Sequence, residues 1–175
     1  PTVGLVINAG QAHLEGFGSI QGVALAKGEL FKHLIHRGKT LFVNEGNKYV
    51  RQLVPGNYPK ALMYNGDQGP QIQNMTGDPY LNLRIIDHNA AVEIKTGLLG
   101  GYNAENVLAA YCVGNHMGIT VESIKDSIHT YQPRNNRSQL LNTGKNRVFM
   151  DAYNANPSSM HAAISEFLRF DDERK

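Results

Sequence analysis

The chain has 175 residues, 41% of them hydrophobic and 18% charged, which is enough apolar material for a packed core in one domain or slightly more and excludes disorder and fibrous architectures. Lys and Arg total 17 against 15 Asp and Glu, a formal charge of +2, and so small an excess argues against nucleic acid or an anionic membrane as partner. The lone Cys112 cannot make an internal disulfide and no apolar run nears the roughly 18 residues that span a bilayer, so a reduced, soluble, cytoplasmic protein is expected.

Val3-Gly4-Leu5-Val6-Ile7 is a continuous apolar run, and it predicts a strand over residues 3 to 8 in a parallel sheet covered on both faces. A Gly-rich turn then leads to a helix over 19 to 37, stopped by Gly38, and a strand over 40 to 43, which makes a β-α-β unit. A short helix over 47 to 53 and a strand over 61 to 64 follow. The polar stretch 65 to 79, rich in Gly, Asn, Gln and Asp, reads as a surface excursion. Residues 81 to 87 and 91 to 98 alternate as an antiparallel pair about Asp87-His88-Asn89. Helices are expected over 103 to 117 and 121 to 131, the second with Val121, Ile124, Ile128 and Tyr131 on one side. Gln132-Pro133-Arg134-Asn135-Asn136-Arg137 has no apolar residue and reads as an interdomain linker. Strands over 138 to 141 and 147 to 153 would open a second α/β domain, followed by a helix that starts at Asn156-Pro157 and carries Met160, Ala163, Ile164, Phe167 and Leu168 as its stripe. The opening strand has no lead-in and the last helix ends in a charged run where a further strand is expected. The chain therefore reads as part of a larger α/β protein.

Chemistry-bearing residues gather in three places. On the first long helix, Lys27 falls by position on the stripe of Ile20, Val23, Ala24, Leu30, Phe31 and Leu34. A lysine so placed is either partly desolvated, with its pKa lowered toward a nucleophilic amine, or it snorkels to the rim of the stripe. Just upstream, His13 and Glu15 lie beyond the carboxyl end of the first strand, where ligands of open α/β sheets bind. The second place is Gly100-Gly101-Tyr102-Asn103-Ala104-Glu105-Asn106, with Asn103 as expected N-cap and Asn106 in the first helical turn. Exposed amide groups there suit an anion or a polar ring, although a simple capped helix fits as well. The third is Asp151-Ala152-Tyr153-Asn154-Ala155-Asn156-Pro157, a strand end passing through Asn residues into a helix N-terminus. It suits a ribose or a phosphate, or capping alone.

Other apparent signals carry little. Gly38-Lys39-Thr40 precedes a strand where a phosphate loop would open a helix, and Thr143-Gly144-Lys145 lacks the Gly-rich lead. His33 and His36 sit in a last helical turn with no third ligand nearby, where a His favours the helix dipole. Asn74-Met75-Thr76 and Asn136-Arg137-Ser138 are chance matches to a glycosylation acceptor.

In order along the chain, Asn8-Ala9-Gly10-Gln11-Ala12-His13-Leu14-Glu15-Gly16-Phe17-Gly18-Ser19, Ala26-Lys27-Gly28-Glu29, Asn103-Ala104-Glu105-Asn106, Arg137 and Asp151 to Ser159 closely resemble the Mur ligase family. The His13 and Asp151 strings resemble the members that add D-alanyl-D-alanine to UDP-N-acetylmuramoyl-tripeptide. The resemblance covers nearly the whole chain and is weakest across residues 44 to 95.

That resemblance implies an α/β fold. Residues 1–132 would be the later part of a P-loop-type central ATPase domain with a mostly parallel sheet, 133–137 a linker, and 138–175 the start of a Rossmann-like C-terminal domain. It implies an ATP-dependent amide ligase of peptidoglycan synthesis that uses magnesium and an acyl phosphate, with UDP-N-acetylmuramoyl-tripeptide and D-alanyl-D-alanine as partners. By position, Lys27 matches a carbamylated lysine that helps hold Mg2+ and His13 a magnesium ligand. Asn106 matches an adenine contact, Arg137 a phosphate contact and Asp151 a ribose contact, and Asn154 joins these nucleotide-binding residues. The family's phosphate loop would lie upstream of Pro1, so this stretch alone is expected to be inactive. A folylpolyglutamate synthase relative or a non-catalytic module that keeps the ligase fold are the alternatives.

Overall fold

Strand β1 (Val3–Val6) runs through a helical turn α1 (Leu14–Phe17) into α2 (Ile20–His36), which returns the chain to β2 (Thr40–Asn44), as the sequence led us to expect. In the computed structural model, residues 1–11, 14–77, 79–134, 136–153, 155 and 157–169 are described. Ser19 opens α2, its Oγ accepting from the Gly22 N–H at 3.0 Å. Gly38 closes it in the left-handed region at φ 62, so that its own N–H reaches the Ile35 carbonyl and the Lys39 N–H reaches Leu34. A one-turn helix α3 (Lys48–Arg51) and strand β3 (Ala61–Tyr64) complete a parallel sheet in the order β1-β2-β3.

The central strand β2 shows why the sheet needs cover on both faces. Leu41 and Val43 join Phe31 and Leu34 of α2 and Val50 of α3 in one cluster, while the intervening Phe42 joins Tyr64, Leu108 and Tyr111 in another. Four of the five β2 residues are buried, which explains a run with no polar alternation. β1, at the end of the strand order, is less covered, with Val3 and Leu5 half-buried.

The second face is covered by a helix and a sheet. Strands β4 (Gln71–Gly77), β5 (Tyr80–Asp87) and β6 (Ala90–Leu99) form an antiparallel sheet in that order. β5 and β6 form the antiparallel pair expected there, but Asp87 pairs with Ala90, so the turn is the two residues His88 and Asn89, with φ values of 46 and 69. Leu81, Leu83, Ile85 and Ile94 of this sheet pack with Val107, Leu108 and Tyr111 of α4 (Ala104–His116), which enters from a 3-10 turn at Gly101–Asn103. α5 (Val121–Thr130) adds Ile124 to the same cluster. Cys112 is buried among these side chains, and burial pushes its thiol up to about 12.

The reading of 65 to 79 as an excursion needs correction, because its second half is β4. Gln71, Gln73, Asn74 and Thr76 are exposed, but the backbone pairs with β5 from Gln71 opposite Ile86 to Gly77 opposite Leu81. Residues of low strand propensity are held in place here by the neighbouring strand's hydrogen bonds. Beyond the linker, β7 (Gln139–Asn142) and β8 (Arg147–Met150) form a hairpin, and α6 (Pro157–Arg169) follows. Of the stripe expected on α6, Ala163 is buried and Phe167 meets Phe149 with ring centroids 6.3 Å apart, whereas Ile164 and Leu168 are exposed.

Phe31 is fully enclosed between α2 and the sheet. Replacing it with Ala should cost about 3–5 kcal/mol of unfolding free energy, read as a lowered urea midpoint at unchanged slope.

Candidate functional site

Polar groups converge at the carboxyl edge of the parallel sheet. Asn44, the last residue of β2, is fully buried. Its Nδ2 donates to the Ile7 carbonyl at 2.8 Å, and its Oδ1 accepts from Gly46 N and Asn65 Nδ2, each at 3.0 Å. One amide therefore ties together the ends of all three parallel strands. Asn47 repeats the device, donating to Ala9 O at 3.2 Å and capping α3 through Val50 N at 3.1 Å. Glu105, at the start of α4, is half-buried and hydrogen-bonds Asn44. Burial raises its pKa above 4.5, against the opposing pull of that bond.

Lys27 reaches this same edge, but not in the desolvated form considered above. Its side chain is exposed, and its Nζ donates to the Asn8 carbonyl at 2.9 Å. The reason is directional. Helical side chains lean toward the helix N-terminus, and the N-terminus of α2 lies at the carboxyl edge of the sheet. The stem therefore carries the amine past the buried Val23 and Ala24 to the rim. His13 lies outside the described residues, as does Asn154. Among the described residues no group of three His, Cys, Asp or Glu side chains could hold a metal ion.

The second and third sequence places meet. Asn106, Arg137 and Asp151 line one cleft of about 280 Å³, together with Tyr102, Ser138 and Tyr153. The linker delivers Arg137 and Ser138 to it through positive φ angles of 57 at Asn136 and 49 at Ser138, and the Ala152 N–H secures the Asn136 carbonyl at 2.7 Å. The Arg137 guanidinium stacks 3.6 Å above the Tyr153 ring, a cation-π contact at an exposed aromatic. Asn103 departs from its expected role. Its side chain makes no cap, since the 3-10 turn ahead of α4 leaves it in helical geometry, and its Nδ2 donates instead to Leu99 O at 2.8 Å. A cleft presenting an amide, a guanidinium and a carboxylate has groups for a polar ring, an anion and a hydroxylated sugar.

Residues 1–114 match the family model described as Mur ligase middle domain. The chain belongs to the Mur ligase family. Mur ligases that align along almost all of it include the UDP-N-acetylmuramoyl-tripeptide–D-alanyl-D-alanine ligase of Haemophilus influenzae, 29% identical over 98% of this chain and 38% of its own length. The Escherichia coli ligase of the same name is 30% identical over 94% of this chain and 37% of its own. The chain thus spans less than two fifths of these curated relatives. The fold agrees with solved structures of Mur ligases. MurF from Acinetobacter baumannii superposes with a TM-score of 0.85 at 23% identity, covering 96% of this chain and 37% of that one. MurF from Thermotoga maritima in complex with ADP superposes with 0.82 at 22% identity, covering 97% and 40%.

Sequence reasoning did not single out Asn44, Glu105, Tyr102 or Ser138. Glu105 lies inside the Asn103-Ala104-Glu105-Asn106 string and Tyr102 beside it, but a string shows neither which carboxylate is buried nor which hydroxyl meets a distant strand.

Because Glu105 binds its proton more tightly folded than unfolded, its contribution to stability is full below pH 4.5 and is lost as pH rises through the raised folded pKa. Glu105→Gln should therefore be more stable than the parent chain at neutral pH and show a flatter dependence above pH 4.5, measured by urea unfolding across that range.

Proposed function

We propose that this chain forms the nucleotide-handling part of an ATP-dependent ligase that joins D-alanyl-D-alanine to UDP-N-acetylmuramoyl-tripeptide in the cytoplasm. The observation that carries the reading is the convergence of Asn106, Arg137 and Asp151, far apart in sequence, on one cleft. Asn106 is suited to adenine, Arg137 to phosphate oxygens through its fork of donors, and Asp151 to the ribose hydroxyls. Residues 1–132 would then belong to the central domain, 133–137 to a linker and 138 onward to the C-terminal domain, consistent with a middle-domain match that ends at 114. Arg137, released from Tyr153, is long enough to follow the phosphates when the two parts close over ATP.

In the proposed reaction a peptide carboxylate oxygen attacks the γ-phosphorus and ADP leaves. The D-alanyl-D-alanine amine then attacks the acyl carbon of the mixed anhydride, losing a proton as phosphate departs. Positioning and charge compensation are the protein's main contributions to such chemistry.

Lys27 fits a role at the metal as its carbamate. The modified nitrogen keeps one N–H, which can still donate to the Asn8 carbonyl now 2.9 Å away, and the exposed side chain is open to dissolved carbon dioxide. Its carboxylate oxygens would be hard ligands for magnesium, with His13 as the second contributor. Magnesium, when bound, would offset the phosphate charge. Since Lys27 is not desolvated, the carbamate would draw its stability from that cation and not from burial.

In the full-length protein, Lys27→Ala should reduce D-alanyl-D-alanine-dependent release of ADP by at least about 100-fold, and a short carboxylic acid in the medium should restore part of it by placing an anion in the vacated site. Near-normal turnover of Lys27→Ala without added acid would remove Lys27 from the mechanism. An absence of ADP release with all three substrates present would refute the ligase reading itself.

A further inference from the structure

Two polar contacts of the cleft are joined by a hydrogen-bond chain whose direction is chemically determined. Asn106 Nδ2 donates to Asn103 Oδ1 at 3.0 Å, and Asn103 Nδ2 lies 3.4 Å from Ser138 Oγ. Ser138 Oγ is 2.6 Å from the Tyr102 hydroxyl, which is 3.2 Å from Asp151 Oδ2. The Asn103 amide cannot be flipped, because its nitrogen also faces the Leu99 carbonyl at 2.8 Å, and a carbonyl only accepts. At the far end a carboxylate likewise only accepts. Each hydroxyl between them must then receive from the Asn103 side and donate toward Asp151: Ser138 gives its proton to Tyr102, and Tyr102 gives its own to Asp151.

We propose that Tyr102 is a positioning residue of the nucleotide cleft, holding the Asp151 carboxylate in register with Asn106 so that it can receive the ribose hydroxyls. The backbone is shaped for this ring. Gly100 is buried at φ 82, and a Cβ there would come within 2.3 Å of the Tyr102 ring, so only glycine lets the ring lie so close to the turn. Ser138 is buried and held in the left-handed region, a strained setting for a serine that places its hydroxyl beneath Tyr102. The described bonds to Asp151 fall on Oδ2, which leaves Oδ1 as the oxygen for an incoming hydroxyl. Burial pushes the Tyr102 hydroxyl up to about 12, so it remains a donor across the physiological range.

This inference rests on the reading of Asp151 as the ribose contact, and two nucleotides separate the two claims. In the full-length protein, calorimetric affinities are measured for ADP and for 2′,3′-dideoxy-ADP. The parent protein should prefer ADP, and Asp151→Asn should largely erase the preference. Tyr102→Phe keeps the ring and removes the donor. It should weaken ADP more than about tenfold and leave the dideoxy nucleotide within about twofold, as expected for losing one hydrogen bond to a charged group. Ser138→Ala, which interrupts the chain without touching the ring, should give the same pattern at smaller size and serves if Tyr102→Phe does not fold. Equal weakening of both nucleotides in these variants, or no effect in either while Asp151→Asn still erases the preference, would overturn the role of Tyr102 and leave the ribose reading standing. A parent protein that does not distinguish the two nucleotides, or an Asp151→Asn variant that still does, would overturn the ribose reading and this inference with it.

Discussion

A parallel strand with both faces apolar must be covered twice, and the rest of this molecule is arranged around that requirement. β2 puts Leu41 and Val43 against α2 and α3 and Phe42 against α4 and the antiparallel sheet. With both faces occupied, only the edges and ends of the sheet remain for polar chemistry, and the carboxyl ends are where the crossover connections begin. Asn44 is the direct product of this geometry. Buried where three strands stop, it supplies a donor and an acceptor to backbone groups that would otherwise be desolvated and unpaired. That rim holds the Ile7 to Ala9 segment in place, and Lys27 then fastens to Asn8.

The cleft lined by Asn106, Arg137 and Asp151 obeys a different constraint. Asn106, Arg137 and Asp151 come from a helix start, the segment before β7 and the end of β8, and none of the three is buried. Hydrogen bonds position them instead, running from Asn106 through Asn103, Ser138 and Tyr102 to Asp151, with the Ala152 to Asn136 backbone contact beside them. Bonds of this kind contribute about 1 kcal/mol each, far less than the apolar clusters contribute to the two faces of β2. Contacts of this kind are the weaker part of the structure, set against the apolar clusters on the two faces of β2.

The departures from sequence expectation have a common origin. Lys27 lies on the helical stripe by number, between the buried Ala24 and Phe31, yet its amine reaches the rim at Asn8 because the side chain leans toward the helix N-terminus at the carboxyl edge of the sheet. β4 looks like a loop by composition, yet it is a strand because β5 offers a ladder beside it. Asn103 looks like a cap, yet it is a bridge because a 3-10 turn precedes α4 and Ser138 lies within reach. In each case the local pattern pointed elsewhere, and the three-dimensional setting of the residue decided the outcome.

By itself the sequence determined the β-α-β opening, the hairpin at His88 and Asn89, the two helices after it and the break in regular structure after Thr130, because periodicity, caps and turn residues act over only a few positions. It also determined the family, since five separated strings keep their residue types and order. Only the tertiary structure decided that Asn106, Arg137 and Asp151 share a cleft, that Lys27 meets Asn8, and that Tyr102 stands between Ser138 and Asp151. Those facts depend on which surfaces the two-sided cover of β2 brings together, and pairings between residues so far apart leave no periodic trace along the chain.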